Sequence, residues 1–461
     1  MRARPAVTRR AALLLAACLA LAACATPVAE LPDRVPPLSA ALPPMKSFPV
    51  RPAEPPTRSN AQIARDFLDL SFRMESGRPL AVMSRFEGPV RVRVTGAPPP
   101  SLGPDLAALI ARLRREAGID IARVAADQPA EITIEVLPRA RLQRAVPRAA
   151  CFVVPRVSDW EEYRRARRSA TVDWTTLVTR ERVAIFLPGD VSPQEVRDCL
   201  HEELAQALGP LNDLYRLPDS VFNDDNFHTV LTGFDMLILR IYYAPELRSG
   251  MTRAQVAQIL PGLLARMNPR GEGRAGAPVA QTSRDWIEAI ETALGAGTSA
   301  PRRRAAAERA VAIARARGWQ DGRLAFSLFA LGRLSIGERP ELALAAFLQA
   351  GEIYAARPET RIHLAHVGMH LAAFALSAGQ PRAALDMANA NLAAATRGQD
   401  AALLATLLLI KAEALEALGR SGEVRTVRQE ALGWGRYGFG SDSELRSRTE
   451  EIAALNRARR S

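Results

Sequence analysis

The chain has 461 residues, of which 48% are hydrophobic and 24% are charged, and its formal net charge at pH 7 is +12. This length and apolar content exclude a disordered chain and predict two or three folded domains. Aromatic residues make up only 5% and do not alternate with basic residues as a base-stacking surface requires, so no nucleic-acid partner is expected. Outside residues 11–23 there is no long uncharged apolar run, which excludes a bundle of transmembrane helices.

The first 23 residues are typical of a signal peptide. Residues 1–10 are basic, and residues 11–23 are apolar, end in small side chains and are too short to remain as a membrane span. The segment Leu21-Ala22-Ala23-Cys24 resembles the lipobox of bacterial lipoproteins. The resemblance implies that the chain is cut before Cys24 and that this cysteine carries the acyl chains that anchor the protein to a membrane.

Two features next to the lipobox bear on where the protein is held. Ala25 follows Cys24 where an aspartate would alter sorting, which in this class implies the outer membrane, with the folded part facing the periplasm. A second candidate lipobox, Leu15-Ala16-Ala17-Cys18, and an ordinary cleaved signal peptide are the alternatives. Residues 25–58 contain ten prolines, so residues 24–58 are predicted to be an extended tether.

Residues 59–268 mix helical and strand patterns, which predicts an α+β domain. Helical periodicity runs from Asn60 to Met74 and through the segment LGPDLAALIARLRREAG. The segments PVRVRVTG, ITIEVLP, CFVVPRV and RVAIFLP have the composition of strands. Ser192, followed by Pro193, favours the start of a long helix that carries the sequence EELAQALG.

This helix resembles the motif helix of metzincin zinc peptidases, HExxHxxGxxH, with its histidines replaced. In the matching register Glu202 takes the first ligand position, Gln206 the second and Asn212 the third. Glu203 takes the position of the general base, and Gly209 that of the turn. Starting the motif at His201 instead fails to place a glycine at the turn.

Two downstream segments extend the same resemblance. Ser220-Val221-Phe222-Asn223 resembles the Met-turn of matrix-type metzincins, with Phe222 in the methionine position, and residues 231–243 resemble their closing helix. The stretch is also similar to a bacterial family with a domain of unknown function, whose exported members combine a cysteine with an EELxQxLG motif. That family has no activity that the resemblance carries over.

The replaced ligands predict a degenerate, non-catalytic domain. Zinc prefers imidazole and thiolate donors, whereas Glu202, Gln206 and Asn212 offer one carboxylate and two carboxamides, so no metal and no cofactor is expected. Without a metal-bound water Glu203 has nothing to activate, and no catalytic residue is expected. The alternative is a metal-dependent hydrolase in which Glu203 is the base and Glu202 binds a harder divalent metal with nearby acidic residues or histidines: Asp213, Asp224, Asp225, His201 and His228.

The two cysteines of the predicted mature domain are expected to form a disulfide. Cys151 opens a strand-like segment and Cys199 lies in the motif helix. An exported chain folds in an oxidising compartment, which favours the pair Cys151–Cys199 over two free thiols.

The last part of the chain predicts a helical repeat. Residues 269–281 form a Gly/Pro-rich linker, and residues 282–461 are rich in Ala, Leu and Arg at helical spacing. Gly295, Gly337, Gly379 and Gly419 follow one another at steps of 42, 42 and 40 residues, and each separates two amphipathic helices. This pattern resembles tetratricopeptide repeats, with Leu331-Gly332 and Ala343–Phe347 at their packing positions. A plain helical bundle is the alternative.

Two smaller groups of residues invite a metal interpretation. His363, His366 and His370 share one helix face, and Asn223-Asp224-Asp225-Asn226 has the residue types of a calcium loop. Packing in a groove accounts for the histidines more simply, and ordinary loop chemistry accounts for the Asn/Asp run.

Together these features predict a lipid-anchored cell-envelope protein that binds or assembles and does not catalyse. The expected partner is an unidentified envelope protein or peptide, bound through the helical repeats. A metal-dependent, peptidase-like hydrolase that acts on peptide or cell-wall material is the alternative function.

Overall fold

The computed structural model describes residues 42–147, 149–274, 276 and 280–457. Cys24, Cys18 and the signal peptide lie outside these residues. Among the described residues no helix is both long enough and apolar enough to cross a bilayer.

A mixed five-stranded sheet forms the centre of the N-terminal half of the described chain, in the order β2-β1-β3-β5-β4. Strands β2, β1, β3 and β5 run parallel, and β4 pairs with β5 in the antiparallel sense. Every residue of β5 is buried, as a central parallel strand requires. The strands are β1 Val90–Gly96, β2 Ile121–Arg123, β3 Ile132–Leu137, β4 Phe152–Pro155 and β5 Val183–Pro188.

Helices surround this sheet and complete the predicted α+β architecture. The long helix α5 packs on β5 and on the edge strand β4. Side chains of α5 and of the strands share one hydrophobic core. The helices are α1 Asn60–Ser71, α2 Leu102–Arg112, α3 Arg139–Ala145, α4 Trp160–Ala166, α5 Pro193–Leu208, α6 Gly233–Tyr242 and α7 Arg253–Met267.

A disulfide joins Cys151 to Cys199, with 6.0 Å between the two Cα atoms. Cys151 lies directly before the edge strand β4, and Cys199 lies in the middle of α5. The bond therefore fastens the exposed edge of the sheet to α5, as the sequence predicted.

The C-terminal half is an all-helical array. Helices α8 and α9, α10 and α11, α12 and α13, and α14 and α15 form successive hairpins. Gly379 and Gly419 end their helices with φ of 71° and 73°, a left-handed conformation that glycine adopts without strain. The helices are α8 Arg284–Leu294, α9 Ala300–Ala316, α10 Gly322–Ser335, α11 Pro340–Ala355, α12 Arg361–Ser377, α13 Pro381–Arg397, α14 Ala401–Ala417, α15 Ser421–Gly438 and α16 Asp442–Arg457.

The sheet-containing half and the helical array belong to one compact unit that begins at Pro44. On α5, the Gln194 side-chain amide donates to the Asp400 carboxylate over 3.0 Å and accepts from the backbone N–H of Ala402 over 2.9 Å. The Tyr437 hydroxyl of α15 donates to Asp105 of α2 over 2.8 Å. The two halves therefore share an extensive polar interface.

The second part of the predicted tether differs from a free spacer. Residues 44–58, here called the strap, have no regular secondary structure but lie along the folded unit. At one end the Phe48 ring stacks on Trp434, with 4.4 Å between centroids. At the other end Arg58 pairs with Asp66 over 3.0 Å and with Asp219. Prolines prevent helix and sheet in this segment, but they do not prevent an aromatic ring and a guanidinium from anchoring it.

Candidate functional site

The motif helix α5 is fixed at both ends by polar contacts. The Ser192 hydroxyl accepts from the backbone N–H of Glu195 over 3.1 Å and caps the start of the helix. At the other end the buried Arg180 donates to the carbonyl oxygens of Gln206 and Ala207, each over 2.6 Å, and to that of Gly209. These bonds satisfy carbonyls that the end of a helix leaves unpaired, so the motif has a well-defined position.

Gly209 is required by close packing and not by an unusual backbone angle. Its φ of −154° is extended backbone that any residue adopts. A Cβ atom at this position would lie 3.3 Å from Leu239 and 3.3 Å from the ring of Tyr242, both on α6. The glycine therefore allows the end of α5 to approach α6 closely.

Two of the three former ligand positions use their side chains in contacts with the protein. The Asn212 side-chain amide donates to the carbonyl oxygen of Asp69 over 2.8 Å and ties this loop to α1. The Gln206 amide donates to the Asp213 carboxylate over 3.4 Å. In the described part of the chain, no three His, Cys, Asp or Glu side chains are arranged to hold a metal ion.

Acidic side chains gather around the C-terminal half of α5. They come from the turn after α1, from α5 itself and from the loop that follows α5. Glu203 is 4% exposed, the side chains from the loop are half-buried, and Glu75 lies at the exposed edge of the group. The acidic cluster consists of Glu75, Glu202, Glu203, Asp213 and Asp224.

Burial and mutual repulsion make these carboxylates hard to ionise. Burial, with repulsion from Glu75 and Asp198, raises the pKa of Glu202 to about 7. Burial, with repulsion from Glu75 and Glu202, raises the pKa of Asp224 to about 8. The same causes raise the pKa values of Glu203 and Asp213 well above their usual range. Part of the cluster is therefore protonated at neutral pH when no ligand is present.

The acidic cluster also has hydrogen-bonding capacity to spare. One carboxylate oxygen of Glu203, Oε2, and one of Asp213, Oδ1, are buried without a hydrogen-bond partner. An unpaired buried oxygen costs free energy, so a fold rarely retains two in one group without a functional reason.

The other predicted candidates near α5 lie apart from this cluster. His201 is buried on another face of α5, where its Nδ1 accepts from the backbone N–H of Leu231 over 3.2 Å. Burial and the charges of Arg197 and Arg112 lower the pKa of His201 well below its usual value. Phe222 is fully buried in the hydrophobic core. These residues support the fold and do not face the acidic cluster as metal ligands would.

The histidines of α12 form part of the interface between the two halves. His363 Nε2 lies 3.0 Å from Asp225 Oδ2, and His366 Nε2 lies 3.1 Å from Asp400 Oδ2. His370 stacks on Phe347 with 4.5 Å between ring centroids. Burial lowers the pKa of His228 to about 4 and that of His370 to about 3, so both rings are neutral at pH 7. The predicted packing role fits these contacts.

The loop that follows α5 carries the main feature that the sequence did not predict. Residues 210–232, here called the insertion loop, place two aromatic rings in the hydrophobic core of the helical array. Tyr215 meets Trp286 edge-on at 5.1 Å between centroids. Phe227 packs between Phe329 at 5.1 Å and His363 at 4.5 Å. Two aromatic side chains in a loop otherwise rich in Asn and Asp were the signal for this docking.

The helical array also supplies a neighbour of the acidic cluster. Glu291 of α8 contributes to the repulsion that raises the pKa of Asp224. Glu291 itself lies 3.9 Å from Arg284, so its charge is partly compensated. The array therefore forms one side of the region around the cluster.

Comparison with known proteins places the N-terminal half in a family. Residues 60–262 match the family model described as Protein of unknown function (DUF2927). The chain therefore contains a domain of this kind, which includes the sheet, α5 and all five carboxylates of the acidic cluster. No curated protein and no solved structure matches the chain.

Proposed function

We propose that the protein is a non-catalytic binding or assembly protein of the bacterial cell envelope. Its N-terminal half is a degenerate, zincin-like domain, and its C-terminal half is a tetratricopeptide-like scaffold. The acidic cluster beside α5 is the part that contacts a partner. The rest of the molecule holds this cluster in position.

The observation that carries the proposal is the use of the former ligand positions. Asn212 binds the backbone of α1, and Gln206 binds Asp213, so two donors that would meet a metal contact the protein instead. A carboxamide is a weak zinc donor even when it is free. Glu203 occupies the position of a general base but has no metal-bound water to act on.

The charge state of the cluster favours binding as its role. Carboxylates held near one another without compensation destabilise the fold, and such arrangements are typical of functional sites. A binding partner of opposite charge would relieve the repulsion. A purely structural group of side chains would gain nothing from it.

The helical array supports this role by fixing the insertion loop. Asp213 and Asp224 lie on that loop, whose aromatic side chains Tyr215 and Phe227 are buried in the array. The close approach of Gly332 to Phe347, where an added Cβ would lie 2.8 Å from the ring, fits the predicted repeat packing. The scaffold therefore orders two of the five carboxylates.

The proposed location rests on the lipobox. Acylation of Cys24 would hold the protein at the outer membrane, facing the periplasm, with the remaining tether between the anchor and the strap. The disulfide fits an oxidising compartment. Intact mass of the mature chain should show a lipid-modified Cys24, and an unmodified chain free in the periplasm would rule the anchor out.

Glu203→Gln tests the proposed function. We expect the purified protein to contain no stoichiometric zinc and to hydrolyse neither casein nor peptidoglycan, with or without added Zn²⁺. Glu203→Gln should therefore change no turnover number. It should instead raise the free energy of unfolding at pH 8 by about 1 kcal/mol or more, because it removes a buried ionisable group.

The alternative hydrolase predicts the opposite result. One zinc or other divalent metal per chain, with hydrolysis that Glu203→Gln abolishes and the exposed-site control Glu352→Gln leaves intact, would establish an enzyme. Glu352 is an exposed carboxylate on α11, outside the acidic cluster.

A further inference from the structure

We propose that the acidic cluster binds a basic segment of a partner protein, through Lys or Arg side chains placed among Glu75, Glu202, Glu203, Asp213 and Asp224. This inference rests on the proposed function and names the chemistry of its ligand. It follows from three properties of the cluster: its lack of basic neighbours, its unpaired buried oxygens and its shape.

The lack of basic neighbours is unusual in this chain. The protein has 61 Lys and Arg residues against 49 Asp and Glu. Nearby carboxylates are paired, since Arg216 lies 2.7 Å from Asp66 and 3.0 Å from Asp69. In the described residues, none of the five carboxylates of the cluster lies within ion-pair distance of a basic side chain. A partner can therefore supply the missing cation.

The unpaired oxygens indicate what kind of group is missing. Glu203 Oε2 and Asp213 Oδ1 are acceptors without donors, and Glu203 is 4% exposed. A Lys ammonium brings three N–H donors and an Arg guanidinium five, each with a positive charge. Either group would satisfy the acceptors and compensate the charge together.

The shape of the cluster favours an extended ligand over a single metal ion. Its carboxylates lie on three separate segments, namely the turn after α1, helix α5 and the insertion loop. No three of them, among the described residues, are arranged around one point as a metal shell requires. Glu75 is exposed and the side chains of Glu202 and Asp224 are half-buried, so the group opens to solvent along one side. A chain with several basic side chains can contact all three segments.

Binding should release protons. The free cluster is partly protonated at pH 7, because the pKa of Asp224 is about 8 and that of Glu202 is about 7. A bound cation favours the ionised carboxylates and lowers these pKa values. Affinity should therefore rise as the pH rises from 6 to 9.

Titration calorimetry with the peptide acetyl-Lys₄-amide tests the proposal on the full mature chain, with Cys24→Ser to keep it in solution. We expect one binding site at pH 8 and low salt, weaker binding at pH 6, and proton release that appears as a dependence of the heat on the buffer. Binding of a basic peptide by a chain of net positive charge would itself indicate a local acidic site.

Matched variants identify the site. Glu202→Gln combined with Asp224→Asn should weaken binding about tenfold or more. The control, Glu352→Gln combined with Asp386→Asn, removes two exposed carboxylates of the array and should change affinity less than about twofold. Circular dichroism should show both proteins folded.

Three results would overturn the proposal: no binding of the peptide, equal weakening in the control, or stoichiometric binding of Ca²⁺ or spermidine in preference to the peptide. Absence of both peptide binding and hydrolysis would refute this inference alone. Metal-dependent hydrolysis would refute the proposed function as well.

Discussion

Replacing both Cys151 and Cys199 with alanine is expected to lower the free energy of unfolding by about 4 kcal/mol. The disulfide spans 48 residues of sequence and includes β4, α4 and β5 in the loop that it closes. Closing a loop of this length restricts the unfolded chain far more than the folded one. The bond also ties the edge strand β4 to α5, which positions Glu202 and Glu203.

Chemical denaturation followed by circular dichroism measures this effect. A reducing agent should destabilise the wild-type protein by a similar amount and should leave the double variant unchanged, which is the internal control. Equal stability of wild type and variant under oxidising conditions would contradict a structural role for the bond.

Phe227→Ala is expected to cost about 3 to 5 kcal/mol, the range for removing a buried aromatic side chain. Phe227 is 4% exposed and contacts Phe326, Phe329 and Tyr354 as well as two histidines of α12. The ring joins the insertion loop to the array, so its loss should also weaken the connection between the two halves. We expect the single unfolding transition of the wild type to separate into two.

Leu348→Ala is the matched control, because Leu348 lies on the array but is 55% exposed. It should change the free energy of unfolding by less than about 0.5 kcal/mol. A loss for Phe227→Ala no larger than that of the control would show that the ring does not hold the two halves together.

Local patterns in the sequence predicted most of the secondary structure. Four of the five strands follow from runs of Val, Ile and Phe, and the paired helices follow from the glycines at residues 295, 337, 379 and 419. Strand β2 was missed because its three residues are too few to show an alternation. The start of α5 followed directly from Ser192 and Pro193.

Contacts between distant segments could not be predicted in the same way. The strap looks like a free tether because its prolines dominate the pattern, whereas Trp434, on which Phe48 stacks, is 386 residues further along the chain. The acidic cluster brings Glu75 next to residues of α5 and of the insertion loop, and only the fold makes that juxtaposition. The motif helix predicted Glu202 and Glu203 but gave no sign of Glu75 or of Arg180.

The pH dependence of stability tests most directly whether the acidic cluster is an uncompensated binding site. Between pH 7 and pH 9 an unfolded chain has already ionised its carboxyl groups, whereas the folded cluster still loses protons, since the pKa of Asp224 is about 8. Because the folded pKa is raised, the stabilising protons are lost as the pH rises, and stability falls across this window. Histidines do not interfere, because the pKa of His228, about 4 when folded, and the usual value near 6.5 both lie below pH 7.

The measurement is the free energy of unfolding of wild type, Asp224→Asn and the exposed-site control Asp386→Asn at pH 7, 8 and 9. We predict that wild type and Asp386→Asn lose about 1 to 3 kcal/mol across this range, and that Asp224→Asn is more stable than both at pH 9 and loses less. A wild-type stability that stays level or rises from pH 7 to pH 9, with Asp224→Asn no different from Asp386→Asn, would contradict an uncompensated acidic cluster.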